Sequence, residues 1–180
     1  MSVNRISTRY AKSLLDLAIE QNSLENTYKD IKEFNNALKS RDLILMLKSP
    51  IINAGKKASI FKVLFGDKLG QLTMAFFDIA IKKGREMYLP EIAAEFINQY
   101  KVHNRITTVT ITSATDLSEN TLSEIKSKLL NSDLTMDKVE VTTKIDPSII
   151  GGFIVETQDK RIDSSVQRKL ELIKKEFENK

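Results

Sequence analysis

The apolar residues of this 180-residue chain change their period once, at Ile106, and that change limits the folds open to it. Before it, apolar side chains recur every three or four positions, which gathers them on one side of an α-helix. From Ile106 to Thr112 they alternate in steps of two, the spacing of a strand with one buried face. Helices first and a sheet afterwards make the chain α+β.

The first segment reads as six helices. Tyr10, Leu14, Leu17 and Ala18 share a face of the first, widened by Ala11, Leu15 and Ile19. Ser23 is the expected N-cap of a second helix carrying Leu24, Tyr28, Ile31, Phe34 and Leu38, and Ser40 of a short third from Leu43 to Leu47, closed by Pro50. A fourth runs from Asn53 to Phe65, with Gly66 expected as its left-handed terminator. The fifth, Leu69 to Lys83, bears Leu72, Ala75, Phe76, Ile79 and Ala80 and stops at Gly84. The sixth starts near Pro90 and runs through Ile92, Phe96, Ile97 and Tyr100. Short loops make these a six-helix bundle over residues 1–105.

Residues 106–180 read as a small βαββα domain. After the strand at Ile106, Ser118 caps a helix with Leu122, Ile125 and Leu129 on its core face, and Val139, Val141, Thr143 and Ile145 alternate as a second strand. Phe153 to Glu156 is a short third strand. Residues 158–161 form a polar turn from which Ile162 extends the strand as a hairpin arm. Asp163 or Ser164 caps a last helix striped by Val166, Leu170, Ile173 and Phe177. The boundary is expected at Asn104 to Ile106.

Composition removes whole classes of chemistry. There is no cysteine, so disulfides, thiolate metal sites and cysteine nucleophiles are excluded, and a single histidine, His103, excludes a multi-histidine metal cage. The start of the chain lacks the apolar core of a signal peptide, and no stretch approaches the roughly 18 apolar residues of a membrane span. The net charge of +4 is uneven: residues 1–105 carry +6 and residues 106–180 carry −2, which suits segments with different partners.

Each motif has a plain reading beside a functional one. Ala54-Gly55-Lys56-Lys57 lacks the first glycine and the hydroxyl of a phosphate loop and is read as a basic helix start. Gly151-Gly152 is either a backbone approach to a ligand or a turn needing positive φ, and the turn is favoured. Asp159 and Asp163 flank Lys160-Arg161, and with His103 they are the candidates for a small enzyme. A solvated turn, with Asp163 as a cap, accounts for the same residues. The clusters Lys56-Lys57-Lys62 and Lys82-Lys83-Arg85 motivate a basic helical nucleic-acid-binding module as the alternative function, although no aromatic platform accompanies them. The wide apolar face of the first helix, with small Ala11 and Ala18, is equally a seam for a foreign helix and plain bundle core.

Taken in order, several segments resemble one family. Tyr10-Ala11-Lys12-Ser13-Leu14-Leu15-Asp16-Leu17-Ala18 is similar to the start of the delta subunit of bacterial F-type ATP synthase, the counterpart of the mitochondrial oligomycin sensitivity-conferring protein. Lys83-Gly84-Arg85 followed by Leu89-Pro90-Glu91-Ile92 and Phe96 resembles its middle. Ile145-Asp146-Pro147-Ser148-Ile149-Ile150-Gly151-Gly152-Phe153 and then Asp163-Ser164-Ser165-Val166-Gln167-Arg168-Lys169-Leu170 resembles its C-terminal signature.

The resemblance implies a non-catalytic part of the peripheral stalk, the stator that ties the catalytic head to the membrane-anchored b subunits so that rotation couples proton transport to ATP synthesis. It implies no cofactor and no nucleic acid. It places the chain at the cytoplasmic face of the bacterial cell membrane, held there only through the complex. The N-terminal helix of an alpha subunit is expected between the first and fifth helices, against Tyr10, Ala11, Leu14 and Ala18 and against Phe76, Ile79 and Ala80. The b subunits are expected at the C-terminal domain, with Leu170, Ile173 and Phe177 either contributing or packing on the domain's own sheet. On this reading Ala11→Glu abolishes assembly and leaves the domain folded. Gly151, Gly152 and Asp163 are expected to be structural.

Overall fold

The computed structural model describes residues 3–130, 138–157 and 160–178. The chain divides into two compact units, Met1–Tyr100 and Lys101–Lys180. Helix and sheet are both present: the regular elements described in the first unit are helices, and the second unit contains a four-stranded sheet.

In the first unit, α1 (Val3–Glu20) buries Ile6, Leu14 and Leu15 together with Ala11 and Ala18. α2 (Leu24–Ala37) turns Ile31 and Phe34 inward, α3 (Arg41–Lys48) Leu43 and Leu47, and α4 (Ala54–Phe65) Phe61 and Phe65. α5 (Gln71–Lys82) contributes Phe77, Ala80 and Ile81, and α6 (Leu89–His103) Leu89, Ile92, Phe96 and Tyr100. Phe34, Phe61 and Phe77 meet with centroids 4.7–5.9 Å apart in tilted and edge-on geometry, and Phe65 joins Phe34 at 5.7 Å. Offset and edge-on arrangements are those that ring quadrupoles favour.

Several helix ends depart from the sequence expectation. Ser23 makes no side-chain cap. Its backbone N–H closes α1 by donating to Ala18 O at 2.9 Å, after Asn22 turns at φ 51°. Ser40 likewise occupies the cap position of α3 without a side-chain bond. Gly66 is right-handed at φ −56° and is no left-handed terminator. A Cβ there would run into the carbonyl oxygen of Lys62, which explains the glycine. The α5 N-terminus is capped from α2: Asp30 Oδ2 accepts from Gly70 N at 2.8 Å and from Thr73 Oγ1 at 2.7 Å. Asn53 caps α4 by accepting from Lys56 N at 2.8 Å, and Gly84, at φ 64°, follows α5.

In the second unit, β1 (Ile106–Ser113) is central. It pairs in parallel with β2 (Lys138–Ile145) after the crossover helix α7 (Glu119–Leu130), and antiparallel with β3 (Phe153–Glu156). The expected hairpin arm is a strand of its own, β4 (Arg161–Asp163), so the sheet order is β2-β1-β3-β4. Val109, Ile111, Val139 and Val155 form the buried cluster, and Leu117, Leu122, Ile125 and Val141 pack against it. The side chain of Leu129 lies outside the described residues. The last turn of α6 falls in this unit, where Lys101 Nζ reaches Glu140 at 2.7 Å and Thr108 Oγ1 at 2.9 Å.

The connection from β2 to β3 is tightly wound. Asp146 Oδ1 accepts from Ser148 N at 3.0 Å and starts a 3₁₀ turn, Pro147–Ile149. Ile150 then stands at φ 67° and ψ −40°, with Gly151 N donating to Ile149 O at 2.7 Å. This is a γ-turn of the positive-φ kind, rare and strained for a β-branched residue, at a cost of about 1–3 kcal/mol. Gly152 follows at φ 77°, where a Cβ would meet the carbonyl of Ser164. The last helix, α8 (Val166–Glu178), is capped by Ser165, whose Oγ accepts from Arg168 N at 3.1 Å. Asp163 acts one step earlier, its Oδ1 accepting from Ser165 N at 3.0 Å.

Candidate partner-binding site

The expected alpha-subunit residues separate into a floor and a rim. Ala11, Leu14, Ala18 and Ala80 are fully buried within the unit's own side chains. Tyr10 and Phe76 are half-buried, and Ile79 keeps 54% of its surface. Tyr10 on α1 and Phe76 on α5 meet edge to face with centroids 6.3 Å apart. Helical spacing adds residues the sequence reasoning did not assign to the site. Leu17 lies two turns beyond Tyr10 and is exposed, and Leu72 lies one turn before Phe76 and is half-buried. The signal was present in the i, i+4, i+7 steps, but periodicity does not say which edge of an apolar stripe reaches solvent.

Along α8 the whole apolar stripe is open. Leu170 is 52% exposed, Ile173 49% and Phe177 77%, with Val166 exposed beside them. The sheet's buried cluster is covered by α7, whereas α8 packs on the 3₁₀ turn at Pro147–Ile149. Val166, Leu170, Ile173 and Phe177 alternate in steps of four and three, the seam that one helix offers another.

The remaining candidates resolve into structure. Lys57 is no surface cation. It is buried on α4, and its Nζ donates to Leu47 O at 3.0 Å and to Glu86 Oε1 at 2.8 Å, pinning the 3₁₀ turn Glu86–Tyr88 to the end of α3. The basic cluster therefore loses a member, while Lys82, Lys83 and Arg85 remain exposed. Asp159 lies outside the described residues. Asp163 lines an open cleft of about 380 Å³ with Asp146, Arg161, Ser165 and Arg168, and His103 is not among its lining residues. Hydrogen bonds from Ser165 hold the Asp163 carboxyl below the usual carboxylate range, and those from Ser148 do the same for Asp146. A general acid needs the opposite shift, and neither carboxyl shows it. Among the described residues no group of three or more His, Cys, Asp or Glu is placed to hold a metal ion, and no helix is long and apolar enough to cross a membrane.

The family described as "ATP synthase delta (OSCP) subunit" matches residues 6–177. The ATP synthase subunit delta of Cytophaga hutchinsonii is 35% identical over 178 residues, covering 98% of this chain and 96% of that protein. That of Chlorobaculum parvum is 34% identical, covering 97% and 96%. In fold, the chain is similar to a chain of the cryo-EM structure of the Toxoplasma gondii mitochondrial ATP synthase hexamer, with a TM-score of 0.73, 22% identity, and coverage of 95% and 96%. With the family matched from the first helix to the last, the chain belongs to the ATP synthase delta (OSCP) subunit family.

Proposed function

We propose that this chain is a non-catalytic stator subunit in the peripheral stalk of F-type ATP synthase, tethering the catalytic head to the membrane-anchored b subunits so that rotation couples proton transport to ATP synthesis. Torque from the turning shaft acts on the head, and a static link is needed to keep the head from turning with it. Family membership over residues 6–177 carries this reading. The basic nucleic-acid-binding alternative has no support from it.

The first unit, read as a six-helix bundle over residues 1–105, takes the alpha subunit's N-terminal helix on the α1–α5 seam. Tyr10, Phe76 and Ile79 form its contact rim, and Ala11, Leu14, Ala18 and Ala80 support it from beneath. The second unit, read as an α+β domain over residues 106–180, takes the b subunits on the α8 stripe of Leu170, Ile173 and Phe177. Its attachment to the cytoplasmic face of the cell membrane is indirect, through these partners.

A synthetic copy of the alpha subunit's N-terminal helix, titrated into the full chain, tests the first contact. Chemical shifts of Tyr10, Phe76 and Ile79 are expected to move together, and shifts confined elsewhere would remove the seam from the interface. Purification of the tagged chain from solubilised membranes is expected to bring alpha and b subunits with it.

A further inference from the structure

We propose that Ile150 is a contact residue of the surface that α8 presents, and that its strained turn holds an apolar side chain out toward the helix that docks there. The proposal rests on the reading of α8 as the b-subunit surface.

Three observations meet at this residue. The first is avoidable strain: Ile150 adopts φ 67°, a backbone glycine takes freely, and glycines stand at the next two positions. The tight connection is already served by the Asp146 side chain and by Gly152, so an isoleucine is not needed to make it. The second is exposure. Ile149 fills the buried position of this segment, whereas Ile150 keeps 64% of its surface and does little for the unit's own core. A side chain that is neither relaxed nor packed in its own fold is accounted for by what it touches outside it.

The third is position. Val166, the first residue of the α8 stripe, donates its backbone N–H to Gly151 O at 2.9 Å. A Cβ on Gly151 would lie 3.3 Å from Val166 Cγ2. The turn therefore abuts the N-terminal end of the stripe. The occupant that fits is an amphipathic helix whose apolar residues recur in steps of three and four, lying along Val166, Leu170, Ile173 and Phe177, with one further apolar side chain over Ile150.

Four forms of the full chain, wild type, Ile150→Gly, Ile150→Val and Leu170→Glu, are titrated by calorimetry with the b subunit lacking its membrane anchor, and their melting points are measured alongside. Ile150→Gly is expected to melt within about 2 °C of wild type or above it, and to bind about fivefold weaker or worse. Ile150→Val keeps the apolar surface and is expected to bind within about twofold of wild type. Leu170→Glu is expected to lose binding. If Ile150→Gly binds like wild type while Leu170→Glu does not, the turn is outside the surface and the α8 reading stands without it. If both bind like wild type, the α8 reading itself fails. A large fall in the melting point of Ile150→Gly would assign the residue to the fold and overturn the proposal.

Discussion

Ala11→Glu and Ile79→Glu put the same carboxylate on two sides of the α1–α5 seam, and they are expected to fail in different ways. Ala11 has 0% of its surface exposed, so a glutamate there must displace its neighbours and enter a space with no partner for its charge. Overpacking alone costs about 1–3 kcal/mol. A carboxyl buried without a partner has its pKa raised by about 3 units or more, each unit adding about 1.4 kcal/mol once the pH is above both values. The sum near pH 8 is about 5–7 kcal/mol, most or all of the stability of an ordinary domain. Because the folded state binds this proton more tightly than the unfolded chain, the electrostatic part vanishes below the ordinary glutamate range and grows as the pH rises through it. Ala11→Glu is therefore closer to wild type at pH 5 than at pH 8. Ile79 is 54% exposed, so about half of its burial is at stake, about 1 kcal/mol, with little pH dependence. Urea denaturation at both pH values, joined to titration with the alpha-subunit peptide, separates the two: Ala11→Glu unfolds, and Ile79→Glu stays folded and loses the peptide. An Ala11→Glu variant within about 1 kcal/mol of wild type at pH 8 that no longer binds peptide would refute the assignment of Ala11 to the floor.

Two further outcomes follow from buried polar groups. Lys57→Met leaves the Glu86 carboxylate and the Leu47 carbonyl without their shared donor, and a loss of about 3–5 kcal/mol in urea denaturation is expected. Adding Glu86→Leu should recover about half of it, leaving about 1–3 kcal/mol for the orphaned carbonyl; a single-variant loss below about 1 kcal/mol would show the pair to be idle. Burial, followed by its hydrogen bond to Glu25, pushes the Tyr100 phenol up to about 12. An ultraviolet titration is expected to show one tyrosine ionising near pH 12 that disappears in Tyr100→Phe. The folded state holds this proton more tightly than the unfolded chain, so the contribution is complete below pH 10 and is lost as the pH rises toward 12.

What the sequence made legible, and what it did not, divides by the range of the interaction. The helices of the first unit and the strands from Ile106 could be read because amphipathic period is a property of neighbours. The cap of α5 could not, since Asp30 reaches it from a different helix. Ser23 has the chemistry of a cap, but its backbone is already committed to closing α1. Lys57 sits beside Lys56 and resembles any exposed lysine. Only Glu86, 29 positions later, makes it a buried one. At the candidate site, period located the apolar faces of α1, α5 and α8 yet could not say that Ala11 faces inward while Ile79 faces out, because that depends on where neighbouring helices lie.

Ile150 is the instructive case. The glycine pair announced positive φ in this segment, and Gly152 does adopt it, but the more costly instance falls on the β-branched residue two positions earlier. Local propensity and the observed backbone disagree there, and the disagreement is not offset by burial, since the side chain is largely in solvent. At the strained or exposed positions of a core, a contact within the fold usually explains such a conflict; here the fold supplies none of comparable size. A residue that costs its own unit stability and returns little to it is where a binding contact is most economically sought, and this is why measuring stability and affinity on the same Ile150→Gly variant is decisive: affinity is expected to fall there while the melting point holds or rises.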